Sequence, residues 1–166
     1  MRMLAIGLVA IRAPVQLILG HERRRVADAY QPAKVAAMEG WWDTGRQPSI
    51  LVGWPDDKAE TTHVLAQAPP GWGSWVVAGR SDASLRGLKA WPRSERPPSL
   101  IPFWAFRIMV GMGLAMVGLG LWGAVAWLRG RLDDARLYHR ALVIAAPAGF
   151  IAVIAGWVTA EVGRDQ

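Results

Sequence analysis

Cysteine is absent from the chain, so neither disulfides nor thiolate metal sites are open to it. Internal repeats and low-complexity tracts are absent as well. Charge is missing from long stretches: residues 100–128 hold one charged side chain, Arg107, and residues 141–160 hold none. About 20 apolar residues cross the hydrocarbon core of a bilayer, so both runs are long enough to span one. The charge that remains is unbalanced, with a formal net value of +6. That excess does not point to nucleic acid, because the basic residues are scattered and form no reading helix or aromatic-basic platform. What the sequence has in abundance is hydrophobic residues, 52% of 166, with ten Trp and 18 Gly, a mixture that membrane helices tolerate.

A third span is expected at residues 3–19, although it contains Arg12 and Pro14. An arginine at mid-helix costs roughly 2.5–3.5 kcal/mol on insertion scales, so this helix needs neighbours or a cavity to receive the charge. A signal peptide starting at Arg2 is the rival, but Gly20-His21-Glu22 stands where a small-x-small cleavage site would be needed. The short loop 129–140 carries Arg129, Arg131, Arg136 and Arg140 against Asp133 and Asp134, a bias that keeps loops cytoplasmic. Residues 20–99 and the C-terminus then lie outside. The run Arg23-Arg24-Arg25 does not overturn this, since its loop exceeds the ~60 residues over which the rule holds. The expected fold is an all-α membrane protein. It has three transmembrane helices (1–19, 100–128 and 141–162), a cytoplasmic loop at 129–140, and a mostly irregular extracytoplasmic loop at 20–99. Within that loop, residues 31–42 read as a short helix with Pro32 in its first turn and Val35, Met38 and Trp42 on one face. Trp41 and Trp42 suit the headgroup level. Residues 64–66 and 75–78 read as short strands that need not form a sheet.

Spacing alone gives modest readings of the polar residues. Lys34 and Glu39 are five residues apart, about 140° around a helix, so they do not face each other. Met109, Met112 and Met116 share a helix face, more often packing than ligation, and spacing does not choose among them. Arg107 is placed to snorkel to the headgroups. Gly111, Gly113, Gly118 and Gly120 permit close approach of a helix or a flat ligand. Trp157, Glu161 and Arg164 share one face at the end of a span, an arrangement common for an interfacial salt bridge.

Three segments change these odds. QPAKVAAMEG at residues 31–40, FWAFRIMVGMG at 103–113 and GWVTAEVGR at 156–164 occur in the order, and at separations compatible with, motifs of cytochrome bd ubiquinol oxidase subunit I. The chain resembles that family over nearly its whole length. The resemblance implies that Lys34 and Glu39 bind and oxidise quinol, and that Met109 is the axial ligand of the low-spin haem b iron. It implies that Arg107 stabilises the reduced haem, a sign that makes physical sense. At ~10 Å and an effective dielectric of ~20, its charge is worth about 1.7 kcal/mol, or roughly 70 mV for one electron. Trp157, Glu161 and Arg164 would lie near the haem pair, with Glu161 serving proton delivery. Here the chain departs from the family's GRQPW and reads Gly163-Arg164-Asp165-Gln166. His21, His63 and His139 match no ligand position of the family.

The implied protein is therefore an incomplete subunit I, equivalent to the sixth to eighth helices and inactive alone. In a complete complex it would hold haem b, with a high-spin haem b and haem d or a second haem b nearby. Its partners would be ubiquinol or menaquinol, the oxidase subunit II, the missing helices and membrane lipids, in a bacterial inner membrane that it crosses several times. The loop length resembles the family's short-loop group, which includes cyanide-insensitive oxidases. A haem-free membrane remnant or scaffold is the competing reading.

Overall fold

The computed structural model describes residues 31–131 and 136–162. The expected span at 3–19, Arg12 and Arg164 lie outside these residues. The chain is mostly helical where it is apolar, and its contacts group into two compact units, one including residues 108–155 and the other residues 31–107 and 156–162.

In the second unit, helix α1 (Pro32–Glu39) precedes strand β1 (Gly45–Arg46), and then β2 (Ile50–Asp56) and β3 (Thr61–Gln67) pair as an antiparallel hairpin. Helix α2 (Trp72–Ala78) follows, and β4 (Ser84–Leu85) pairs antiparallel with β1. Short 3-10 turns at Leu88–Ala90 and Arg93–Glu95 lead to helix α3 (Leu100–Leu128). Ten buried residues form one cluster, with Val35, Ala36, Trp41, Ile50, Val77 and Leu88 joined by Phe103 from the start of α3. The expectation of a mostly irregular loop in an all-α chain is thus corrected. This segment has its own core and two small sheets. Residues 75–78, read as a strand from their Trp-Val-Val content, are helical instead. Left-handed glycines at Gly71 and Gly79 bracket that helix, and its Gly73, Ser74 and Val77 are buried at helical spacing.

The hairpin is fastened to the beginning of α3 by polar contacts. The Asp56 carboxylate accepts from the amides of Lys58 and Ala59 in the connecting turn, at 2.8 and 3.1 Å. These two bonds, Ala59 first, hold its pKa below the ordinary value. Glu60 accepts from Arg93 Nε at 2.6 Å and Arg96 Nη1 at 2.9 Å. The Arg96 bond is the larger cause of its lowered pKa. Ser99, fully buried, donates its amide to Asp57 at 3.2 Å, while its carbonyl accepts the Phe103 amide at 3.0 Å.

The apolar runs form helices long enough to cross a bilayer, one ending at Leu128 and one running from Arg136 to Glu161. Few of their residues are buried, and Leu114, Leu121, Val143, Phe150 and Val153 are all exposed, as fits insertion into lipid. The second run is not one regular helix from 141 to 162. It comprises α4 (Arg136–Ala145) and α5 (Ala148–Glu161), separated at Ala146-Pro147. Pro147 has no N–H to continue the ladder, and its carbonyl resumes the pattern by accepting from Ile151 at 3.0 Å. In the first unit Tyr138 of α4 is buried against Trp122 of α3, ring to ring at 5.6 Å, over Gly123, where any Cβ would collide with it.

Candidate functional site

The site is built on α1. Pro32 occupies the first turn, where its missing N–H is not needed, and the Gln31 carbonyl accepts from Lys34 and Val35. The helix stops at Gly40, which is left-handed at φ 74°. Its amide bonds to the Ala37 carbonyl at 3.2 Å, and the Trp41 amide reaches back to Ala36 at 2.9 Å, a Schellman closure. Glycine is needed there twice over, because a Cβ would also lie 2.9 Å from the Phe103 ring. Trp41 and Trp42 turn inward rather than into open solvent. Trp41 Nε1 donates to the Pro48 carbonyl at 2.8 Å, and Trp42 Nε1 donates to Thr62 Oγ1 at 3.0 Å.

Glu39, at the last turn of α1, is only 3% exposed. A charge so deeply buried needs compensation, and Arg107 of α3 supplies it. Arg107 Nη2 lies 3.7 Å from Glu39 Oε2. The guanidinium also donates through Nη1 to the carbonyls of Met38 at 2.7 Å and Phe103 at 3.0 Å, and through Nη2 to the carbonyl of Ile50. Its Cζ sits 3.4 Å from the centroid of the Phe103 ring, a cation-π stack. Arginine alone among the side chains offers a planar fork of donors for this set of acceptors. Sequence reasoning assigned Arg107 to the headgroups or a haem and missed the bond to Glu39. The two are 68 positions apart, and no local period links them.

Lys34, at the other end of α1, donates through Nζ to the carbonyl of Ala160 in the last turn of α5. The three sequence motifs therefore meet: α1 is held to the 103–113 segment through Glu39 and to the 156–164 segment through Lys34. Trp157 and Glu161 are exposed on α5, with Trp157 at 68%. Trp104 Nε1 is buried and has no hydrogen-bond partner among the described residues, although its ring packs edge-on against Trp54 and Phe103. Sequence reading did not single out Trp104.

A family model for cytochrome bd terminal oxidase subunit I matches residues 1–165. The chain belongs to that family. The putative cytochrome bd menaquinol oxidase subunit I of Bacillus subtilis (strain 168) is 32% identical to it over 168 residues, covering 98% of this chain and 37% of the relative. Cytochrome bd ubiquinol oxidase subunit 1 of the same organism is 29% identical over 157 residues, covering 88% and 33%. The solved structure of bd oxidase from Geobacillus thermodenitrificans superposes with a TM-score of 0.79 at 30% identity, over 97% of this chain and 37% of that one. The chain thus spans about a third of these relatives' length.

Membership of the bd family implies haem. The described residues contain no group of three or more His, Cys, Asp or Glu that could hold a metal ion. They do fit a haem ligated by a thioether. Met109 is half-buried on α3, and Gly113, one turn further along the same face, has open space where a Cβ would stand. Gly111 and Gly118 are also open but lie on the opposite side of the helix, so the flank in question is that of Met109 and Gly113. A flat macrocycle needs such a bare helix flank. His63 is exposed on β3, and His139 packs beside Tyr138 on α4 with ring centroids 5.8 Å apart, so neither shares that flank in sequence position.

Proposed function

We propose that this chain supplies the quinol-oxidising loop and one haem-ligating helix of a bd-type terminal quinol oxidase, a quinol:oxygen oxidoreductase of the bacterial inner membrane. The observation that carries the reading is the buried Glu39–Arg107 pair, which joins the QPAKVAAMEG helix to the helix bearing Met109. Lys34 and Glu39 lie at opposite ends of α1, a short helix on the extracytoplasmic side. Lys34 holds a quinol oxygen, and the Glu39 carboxylate takes up a quinol proton for release outside. Met109 would hold a haem b, which when bound would supply a one-electron acceptor. Arg107, two residues before Met109, is a positive charge that favours the reduced form. The family's remaining haems and subunit II would come from the rest of the complex. Trp157, Glu161 and Arg164 are the residues that would serve the haem pair, with Glu161 on the proton route. The loop is of the short type, and the quinol is ubiquinol or menaquinol, the two substrates in the names of the B. subtilis relatives.

The test is quinol turnover in the assembled oxidase. Lys34→Ala and Glu39→Ala slow quinol oxidation while the haem spectra stay nearly intact. Wild-type turnover in both variants rejects the assignment, and absence of any haem signal from the wild-type complex favours the haem-free scaffold.

A further inference from the structure

The geometry points to a second role for Arg107: it is a positioning residue that clamps the extramembrane loop to the membrane helix, separately from any effect of its charge on a haem. The guanidinium reaches beyond its own helix. Its acceptors come from three elements: the carbonyl of Met38 at the end of α1, the carbonyl of Ile50 at the first residue of β2, and the carbonyl of Phe103 in its own helix. The Ile50 carbonyl belongs to a buried residue of the loop core, and the Met38 carbonyl is one of those that the end of a helix leaves without an intrahelical donor. Removing the fork leaves both acceptors without this donor in a place water does not reach easily.

The side chain beneath supports the clamp. Phe103 is fully buried, and it forms the floor on which the guanidinium stacks and the wall against which Gly40 closes. Arg107 therefore fixes the end of α1 from one side and Phe103 fixes it from the other. Electrostatic stabilisation of a reduced haem needs only a positive charge within reach. It does not explain why that charge is spent on three backbone carbonyls from separate elements. A lysine would carry the same charge as a single compact donor and could not span those three acceptors in one plane. Charge and clamp are consequently separable by substitution.

The experiment uses the assembled oxidase and compares Arg107→Lys, Arg107→Gln and Glu39→Gln by amide hydrogen exchange and by haem b potentiometry. Arg107→Lys speeds exchange in residues 32–41 and 50–56, by about tenfold for each charge-assisted bond lost, and leaves the haem b potential close to wild type. Arg107→Gln speeds exchange in the same residues and also lowers the potential. Glu39→Gln, which keeps all three carbonyl bonds, leaves exchange there within about twofold of wild type. Residues 72–78 of α2, which Arg107 does not touch, are the internal control. Wild-type exchange in Arg107→Lys overturns the clamp, as does acceleration that extends equally to α2, which would signify general loosening. The kinetic arm rests on the proposed quinol reading: Arg107→Lys raises the quinol KM with little change in kcat. Faster exchange with an unchanged KM would retain the clamp and count against quinol binding on α1, so the two ideas fail separately.

Discussion

Gly40→Ala is a one-carbon perturbation whose cost follows from the geometry. At φ 74° an alanine pays the penalty of the left-handed region, about 1–2 kcal/mol. Its Cβ would lie 2.9 and 3.1 Å from two atoms of the Phe103 ring and 3.1 Å from Thr62 Oγ1. Neither neighbour gives way readily. Phe103 is fully buried under the Arg107 guanidinium, and Thr62 Oγ1 is held by its bonds to the Gly40 carbonyl, at 2.8 Å, and to Trp42 Nε1. Overpacking of this kind costs about 1–3 kcal/mol. The combined penalty of about 2–5 kcal/mol corresponds to a loss of protection of roughly 30-fold or more for the amides of α1. Hydrogen exchange on the solubilised complex reads this directly. Because Gly40 follows Glu39 and Phe103 lies under Arg107, the proposed quinol role adds that the quinol KM should rise while haem b absorption persists. Wild-type protection of residues 32–41 in Gly40→Ala would refute the close packing of α1 on Phe103.

Two further outcomes are expected. A cysteine at Ser81 should react with an impermeant reagent from outside the cell, and one at Leu137 should not; labelling of Leu137→Cys in intact cells would reverse the topology. Acid should loosen the β2–β3 turn. The pKa values of Asp56 and Glu60 are depressed in the folded state, so the stability they contribute is present above their unfolded values and is lost as pH falls through the folded ones. Exchange in residues 56–67 should therefore accelerate below pH ~4, and Glu60→Gln should flatten that dependence; an unchanged pH profile in that variant would count against the Arg93–Glu60–Arg96 cluster.

The legible parts of this chain were those governed by local patterns. The apolar run at 100–128 is one helix with those bounds, and the Pro32-led segment is helical, but over 32–39 and not to 42, because Gly40 ends it and leaves Trp41 and Trp42 outside the helix. Residues 64–66 read as a strand and lie within β3, but the pairing with β2 was hidden, because Gly53 and Pro55 interrupt β2 and the exposure of nearly all of β3 erases the alternation that betrays a paired strand. Helix α2 was misread because Trp75, Val76 and Val77 favour strands, whereas its position is set by flanking glycines and by burial of Val77. The interruption at Pro147 was present in the sequence but hidden by the uncharged run around it. The residue types at the site were legible through the motifs. The Arg107–Glu39 pair and the contact of Lys34 with Ala160 were not, because both depend on how distant segments pack.

Whether the helix bearing Arg107 and Met109 carries haem b beside a quinol-oxidising loop is decided by the reduced-minus-oxidised spectrum of Met109→Leu in the assembled oxidase. Leucine keeps the volume and apolarity of methionine, so packing should change by less than ~1.5 kcal/mol. It has no lone pair to offer iron, so the account predicts a high-spin haem b or its loss, with Met112→Leu and Met116→Leu spectrally unchanged. A low-spin haem b spectrum retained in Met109→Leu would contradict it.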